Sequence, residues 1–267
     1  MKAMILAAGL GTRLKPFTDT KPKALLPLAG KTILQWQIER LKAAGITEMV
    51  VNIHHFGQQI IDYLAENQGF GCHVQISDER DALLETGGGL LKAAELLGEQ
   101  EPVLVCNVDI LSSIDLPALI RAHADNPSLA TLVVSARETQ RYFLFAGDGT
   151  LQGWWNKKTG EVKPATLAGS ATDAQRAESG QLLIDEDLVP MAYSGMQIVQ
   201  PAFFEQLRLT RDQMGDKFSV VDALLGTIYR HAGVIRAFVP RNYRMMDVGK
   251  IEQLSEAERF ALELQNE

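Results

Sequence analysis

The residues best suited to chemistry lie near the start of the chain. In Leu6-Ala-Ala-Gly-Leu-Gly-Thr-Arg13 two glycines, Gly9 and Gly11, follow an apolar run, and Lys23 comes soon after in Lys21-Pro22-Lys23. Glycines beyond a buried strand let backbone N–H groups approach an anion closely. Arg13 offers a fork of donors that fits two phosphate oxygens. Lys23 offers a compact charge. The dinucleotide fingerprint GxGxxG is excluded, because Leu14 stands where its third glycine belongs. A Walker A loop is excluded too, because this loop does not close on Gly-Lys-Ser/Thr. A second cluster, Glu85-Thr-Gly-Gly-Gly89, opens an expected helix, whose N-terminus is electropositive. On composition alone a tight turn with two solvated cations explains the first cluster as well, and a flexible turn the second.

The elements that would carry these loops can be read from apolar spacing. Strands are expected at Lys2 to Ala7, Glu48 to Ile53, Val74 to Ser77 and Pro102 to Val108. Between them, Leu34, Ile38, Leu41 and Ala44 mark one face of a helix that Gly45 ends. Ile60, Ile61 and Leu64 mark a second. Leu90, Leu91, Ala94 and Leu97 mark a third, stopped by Gly98. Asp115 is placed to cap a helix with Pro117 in its first turn. This alternation argues for a largely parallel sheet with helices on both faces. Further strands are expected at Leu129 to Val134, Phe143 to Phe145, Leu151 to Trp155, Tyr193 to Val199 and Val234 to Val239, with Gly147-Asp148-Gly149 as a hairpin turn. Pro201 opens a short helix, Ser219 with Asp222 resembles a capping box, and Ile251 through Leu264 forms an amphipathic helix. Residues from about Glu161 to Asp187 are small and polar and read as a surface excursion. The expectation is one elaborated α/β domain over residues 1–267, in two halves (about 1–125 and about 126–267).

Composition narrows the partners. The chain has 267 residues, 46% apolar and 22% charged, which suits a globular protein. Its 26 Lys and Arg against 33 Asp and Glu give a net charge of −7, so the basic excess that nucleic-acid binding usually needs is missing. Cys72 and Cys106 form no disulfide framework and suit a reducing compartment. No apolar run is long enough for a membrane span. The opening MKAMILAAGLGTR superficially mimics a signal peptide, but its apolar run passes straight into Gly11-Thr12-Arg13. It reads as a buried strand, and a cytoplasmic location is expected.

The string AAGLGTRLKPFTDTKPKALLPLAGKTILQ, with Gly9, Gly11, Thr12, Arg13, Pro22, Lys23 and Pro27, resembles the signature of the sugar-1-phosphate nucleotidyltransferases. Weaker similarity runs to about residue 115 and returns near 193–205 and 242–254. The resemblance implies a Rossmann-like nucleotidyltransferase fold with a mixed, mostly parallel central sheet flanked by helices. It implies coupling of a nucleoside triphosphate to a sugar 1-phosphate with release of pyrophosphate. A phosphate monoester is mostly dianionic at neutral pH, so its oxygen attacks the α-phosphorus without a general base. What the site must supply is neutralisation and alignment of two mutually repelling anions. Arg13 and Lys23 are the expected catalytic cations. Magnesium would supply the rest, held by a few carboxylates together with phosphate oxygens and water. Asp109 follows the apolar run ending at Val108, where ligands of open α/β sheets bind. Asp247 lies in Met246-Asp-Val-Gly249. Both match the family's metal-binding aspartates.

The same resemblance assigns Ala8, Gly9, Gly11, Thr12 and Arg13 to the triphosphate, and Glu85, Thr86 and Gly87 to the nucleobase side. It assigns Asn107 and Gly195 to the sugar. Asn156-Lys157-Lys158 stands near the place of the family's Glu-Lys-Pro motif but departs from it. Leu84-Glu-Thr-Gly-Gly-Gly-Leu, Asn107-Val-Asp109 and Ser194-Gly195 resemble the N-acetylmuramate 1-phosphate uridylyltransferases of peptidoglycan recycling. Mannose- and heptose-1-phosphate guanylyltransferases are the alternative, since a carboxylate such as Glu85 also suits the two adjacent donors of guanine. A non-catalytic nucleotide-sugar sensor is the alternative of another class. The expected partners are the two small substrates, with a homodimer as a further candidate. With no glycine-punctuated hexapeptide repeat at the C-terminus, no acetyltransferase activity is expected. His54-His55 reads as a strand end, Cys106 as an inert core thiol, and Trp154 and Trp155 as core.

Overall fold

The computed structural model describes residues 1–164 and 187–265. Four parallel strands form the N-terminal half of its main sheet: β1 (Lys2–Leu6), β4 (Glu48–Ile53), β5 (His73–Asp78) and β6 (Val103–Asn107). Their order is β5-β4-β1-β6, with Leu6 opposite both Asn52 and Asn107. The chain moves outward from β1 in one direction and later returns to its other side. That reversal opens a crevice beyond the carboxyl ends of β1 and β6. The loop after Leu6 and the turn after Asn107 both empty into it.

β12 (Val189–Val199) runs antiparallel to β6 and extends the sheet. It also pairs with β8 (Ala130–Ser135) and β9 (Arg141–Phe145). β10 (Leu151–Asn156), β11 (Val162–Lys163) and β13 (Ile235–Phe238) complete a mixed sheet, of ten strands among the described residues. Within the expected polar excursion, Val162–Lys163 is a strand paired with Trp154 and Trp155, while residues 165–186 lie outside the described residues.

Alternate residues of β1 feed two cores, as strand geometry requires. Ala3 and Ile5 pack among α1 (Ile33–Ala43), α2 (Gly57–Glu66), α5 (Leu116–Asp125) and α8 (Leu254–Gln265). Met4 packs among α3 (Glu85–Lys92), α4 (Ala94–Leu97), α6 (Phe203–Met214) and α7 (Val220–Arg230). Local signals account for several helix starts. The Thr32 hydroxyl accepts from Gln35 N–H, and Asp115 accepts from Ala118 N–H. Ser219 and Asp222 form the capping box expected of them.

Three expectations change. The face from Leu90 to Leu97 is two helices, because the chain bends at Ala93 before Gly98, at φ 72°, ends it. The helix after Pro201 is twelve residues long, because Phe203, Phe204 and Leu207 bury one face of it. Two small ladders went unread: β2 (Pro27–Leu28) with β3 (Lys31–Thr32), and β7 (Ile110–Ser112) with β14 (Met245–Asp247). The second sets Asp247 opposite Ile110, one residue from Asp109. No helix among the described residues is long and apolar enough to cross a membrane.

Candidate active site

The glycine loop begins under control of β4. The Asn52 side-chain carbonyl accepts from Ala7 N–H (2.6 Å) and Ala8 N–H (3.3 Å). Gly11 has φ 65°, and its carbonyl accepts from Leu14 N–H and the Thr18 hydroxyl, each at 2.9 Å. A side chain at Gly11 would press on Thr18 and Lys23, so glycine is needed there both for its φ and for space. The loop lines a cleft of about 490 Å³ to which Ala8, Gly9, Gly11, Thr12 and Arg13 all contribute. Lys23, Asn107 and Asp109 form another wall, and Glu85 and Thr86 a third.

The four charged residues expected to do the chemistry meet. Lys23, only 8% exposed, is ion-paired with Asp109. Arg13 Nη2 lies 3.7 Å from Asp247 Oδ2. The β7–β14 ladder joins the two pairs, and Val248 N–H donates to the Asp109 carbonyl at 2.8 Å. Gly249 sits among three of the four. A Cβ there would stand 2.5 Å from Asp247 Oδ1, 2.7 Å from Arg13 Nη2 and 3.0 Å from Lys23 Nζ. On the far side of Arg13 and Asp247 is a second hollow of about 640 Å³, lined also by Arg137, Glu138, Lys157 and Lys250. Lys157 is held 3.3 Å from Glu138.

Two expected ligand residues have other work. Gly87 is absent from the cleft wall, because its N–H donates to the Phe218 carbonyl (2.9 Å) and the Phe218 ring covers it. Gly195 lines neither hollow. At φ 67° it lies against the Asn107 amide and supports that side chain from behind. Thr86 does face the cleft, and its hydroxyl oxygen accepts from Val220 N–H at 2.9 Å. Glu85 has a φ of 62°, strained for a residue with a side chain, and its carboxylate lies 3.8 Å from Lys217 Nζ. Outside the cleft, the His54 ring bonds the Glu79 carbonyl. Burial pushes the Cys106 thiol up to about 11, consistent with an unreactive core residue. Trp154 packs on the core, and Trp155 stacks on Tyr142.

Sequence reasoning missed Asn52, Leu83, Ser219 and Gly249, all on the cleft wall. Ser219 was read only as a helix cap. Glu79 was missed too. It is fully buried, accepting from Asn52 Nδ2 (2.7 Å) and Leu84 N–H (3.3 Å), and so links the glycine loop to the Glu85 wall. Burial raises its pKa above the usual 4.5, although the Asn52 bond opposes this. A carboxyl group whose folded pKa is raised contributes most stability at low pH and loses it as pH rises through the folded value. The midpoint of wild type minus that of Glu79→Gln is therefore expected to fall as pH rises from about 4 to 8. Thermal melts check this, and a flat difference would mean that Glu79 carries no charge-burial cost.

A family model for nucleotidyl transferases matches residues 2–146, more than half of the chain. The protein belongs to the nucleotidyl transferase family. Among curated relatives, the N-acetylmuramate alpha-1-phosphate uridylyltransferase of Neisseria meningitidis is 47% identical over 127 residues, covering 48% of this chain and 54% of the relative. The protein of the same name from Caulobacter vibrioides is 48% identical over 109 residues, covering 40% and 45%. The chain thus spans about half the length of the curated relatives it matches. Among solved structures, a UDP-glucose pyrophosphorylase complexed with UDP-glucose superposes with TM-score 0.70 at 20% identity over 98% of each chain. HddC from Yersinia pseudotuberculosis, complexed with GMP-PN, superposes with TM-score 0.69 at 22% identity, over 97% of this chain and 99% of that one. These likenesses show the fold, and it is the Rossmann-like nucleotidyltransferase fold.

Proposed function

We propose that the protein transfers a nucleotidyl group from a nucleoside triphosphate to a sugar 1-phosphate. The observation that carries this reading is the convergence of Arg13, Lys23 and Asp247 on Gly249, with Asp109 ion-paired to Lys23. A nucleophilic sugar phosphate and a triphosphate repel each other, and only an array of fixed opposite charges brings them into line. The sugar phosphate oxygen forms the new bond to the α-phosphorus. The bond from that phosphorus to the bridging oxygen breaks, and its electrons leave with pyrophosphate. No residue need remove a proton, because the attacking monoester is already ionised. Arg13 and the loop N–H groups hold the triphosphate, and Lys23 faces the phosphorus under attack. The sugar phosphate enters from the second hollow, past Lys157, with the Asn107 amide beside its hydroxyls.

The donor set suits magnesium. Two carboxylates, one on the β6–β7 turn and one at the end of β14, offer hard oxygen ligands, and substrate phosphates and water complete such a site. Asp109 and Asp247 would hold the ion. It would neutralise phosphate charge and fix the orientation of the triphosphate. The described residues form no cluster of three or more His, Cys, Asp or Glu side chains, and a magnesium site of this kind does not require one.

The favoured substrates are UTP and N-acetylmuramate 1-phosphate, with cell-wall recycling as the setting and the cytoplasm as the location. The two relatives that carry this name, at 47% and 48% identity, support the reading. The base wall is compatible with it. The Thr86 oxygen already accepts from Val220, which leaves its O–H to donate, while Glu85 accepts. One donor beside one acceptor matches a carbonyl next to N3–H on uracil, as it also matches the carbonyl next to N1–H on guanine. The second candidate is GTP with a hexose or heptose 1-phosphate, since a rice relative at 36% identity is named a probable mannose-1-phosphate guanylyltransferase.

Pyrophosphate release should appear with UTP, magnesium and N-acetylmuramate 1-phosphate, and fall at least about tenfold when GTP replaces UTP, since a wall that pairs with one base leaves polar groups unmatched against the other. Faster release with GTP would transfer the assignment to the guanylyltransferases. Tight binding with no release from any pair would make the protein a sensor.

A further inference from the structure

Asp109 stands on the turn between β6 and β7, and one side chain behind the cleft grips both ends of that turn. Gln37, on α1, is 1% exposed. Its Nε2 donates to the carbonyls of Val108 (3.1 Å) and Ile110 (2.6 Å), the residues on either side of Asp109. The Asp109 carbonyl itself is taken by Val248 N–H. Three successive carbonyls are therefore fixed, two of them by a single amide.

The other end of that amide is fixed by Arg40. Its Nη2 donates to Gln37 Oε1 at 2.9 Å, and its Nη1 to the Ser112 carbonyl (3.2 Å) and hydroxyl (2.6 Å) at the end of β7. A carboxamide alone fits such a slot in either of two orientations. Arginine only donates, so it compels Oε1 to face it and leaves Nε2 to face the turn. Arg40 has no carboxylate partner among the described residues. Its acceptors are neutral, and burial lowers its pKa from the usual arginine value. A half-buried guanidinium held on neutral oxygens is an expensive way to stabilise a helix. It is an effective way to give one amide a single orientation.

We propose that Gln37, its amide oriented by Arg40, is a positioning residue for Asp109. It holds the β6–β7 turn so that the Asp109 carboxylate points at Lys23 in the free protein and at the divalent cation in the loaded one. Neither Gln37 nor Arg40 lines the cleft, so both act through Asp109. The proposal rests on the role given to Asp109 above.

The deciding variant is Gln37→Glu. It keeps an acceptor for Arg40 and gains an ion pair, so the helix stays anchored, but it loses both donors to the turn. Mn²⁺ affinity is measured by electron paramagnetic resonance with a non-hydrolysable UTP analogue present. It is expected to weaken about 10–100-fold, the usual effect of losing a partner that orients a metal ligand, and kcat should fall by a similar factor. The KM for the sugar phosphate should change less than about threefold, because of the residues that Gln37 holds only Ile110 borders that hollow. Gln37→Met, which also lacks the donors, should behave alike. Ile38→Val opens a small void in the same helix and should leave Mn²⁺ affinity unchanged.

Wild-type Mn²⁺ affinity in Gln37→Glu and Gln37→Met would overturn the proposal. An equal loss in Ile38→Val would overturn it too, by showing that any loosening of α1 suffices. Asp109→Asn is measured in parallel. If that variant also binds Mn²⁺ and turns over like wild type, the reading of the site itself fails.

Discussion

Replacing Lys23 with methionine is expected to lower kcat by about 10²–10³-fold, the usual effect of removing one preorganised donor from developing charge. The same change should also destabilise the free protein. Lys23 is ion-paired with Asp109, and their side chains are only 9% and 21% exposed. Lys23→Met leaves the carboxylate without its partner, and Asp109→Asn leaves the ammonium without its own. Each single change is expected to cost roughly 1–3 kcal/mol in urea unfolding, because a group so shielded is poorly served by water. The double variant Lys23→Met/Asp109→Asn removes both charges. It should recover at least about 1 kcal/mol relative to the sum of the single losses, since contacting residues do not add. Its kcat should stay at or below that of the worse single variant. Stability and activity then move in opposite directions, which simple damage to the fold does not produce. If Lys23→Met keeps kcat within about threefold of wild type, Lys23 lies outside the machinery. If the unfolding losses add, the pair seen in the free protein has no energetic coupling.

How much of this was legible in the sequence follows from how local each signal is. The glycine loop, Arg13 and Lys23 could be read because one short stretch carries them on a strand-to-turn pattern. Asp115 and the Ser219–Asp222 box could be read because a helix cap is complete within four residues. Asp109 and Asp247 could each be suspected from a preceding strand. Their meeting could not be derived from spacing, because the ladder that joins them, Ile110–Ser112 with Met245–Asp247, is three residues long on each side. Strands that short carry no alternation to count. Asn52, Glu79 and Gln37 were invisible for a different reason. Asn52 and Gln37 are polar residues within elements whose apolar neighbours define the pattern, Glu79 lies just past the end of β5, and each matters through partners 27 to 73 positions away. Gly87 was misassigned because its tripeptide of glycines looks like an anion cradle. Only the docking of Phe218 shows that its N–H is already used.

Gly249→Ala should lose activity at nearly constant stability, whereas Gly88→Ala should lose stability first. The atoms that a Cβ at Gly249 would meet most closely are the ends of Asp247, Arg13 and Lys23. Such ends swing aside cheaply, and Gly249 is not among the residues with positive φ, so alanine adds no backbone strain. The expected loss in unfolding free energy is under about 1 kcal/mol, the low end of overpacking effects. The displaced groups are the ones that must hold two polyanions in line. A shift of about 1 Å there is expected to cost on the order of 10² in kcat/KM. At Gly88 the new Cβ would stand 2.2 Å from the Asp216 carbonyl oxygen, which is backbone and has no free end to move. Making room must separate α3 from the segment that Gly87 and Gly88 hold through the Phe218 carbonyl. The expected cost is roughly 1–3 kcal/mol, with activity falling as the base wall shifts. Thermal melts and steady-state kinetics on both variants separate the cases. Wild-type turnover in Gly249→Ala would mean that the three charges beside it do not act on the reacting atoms.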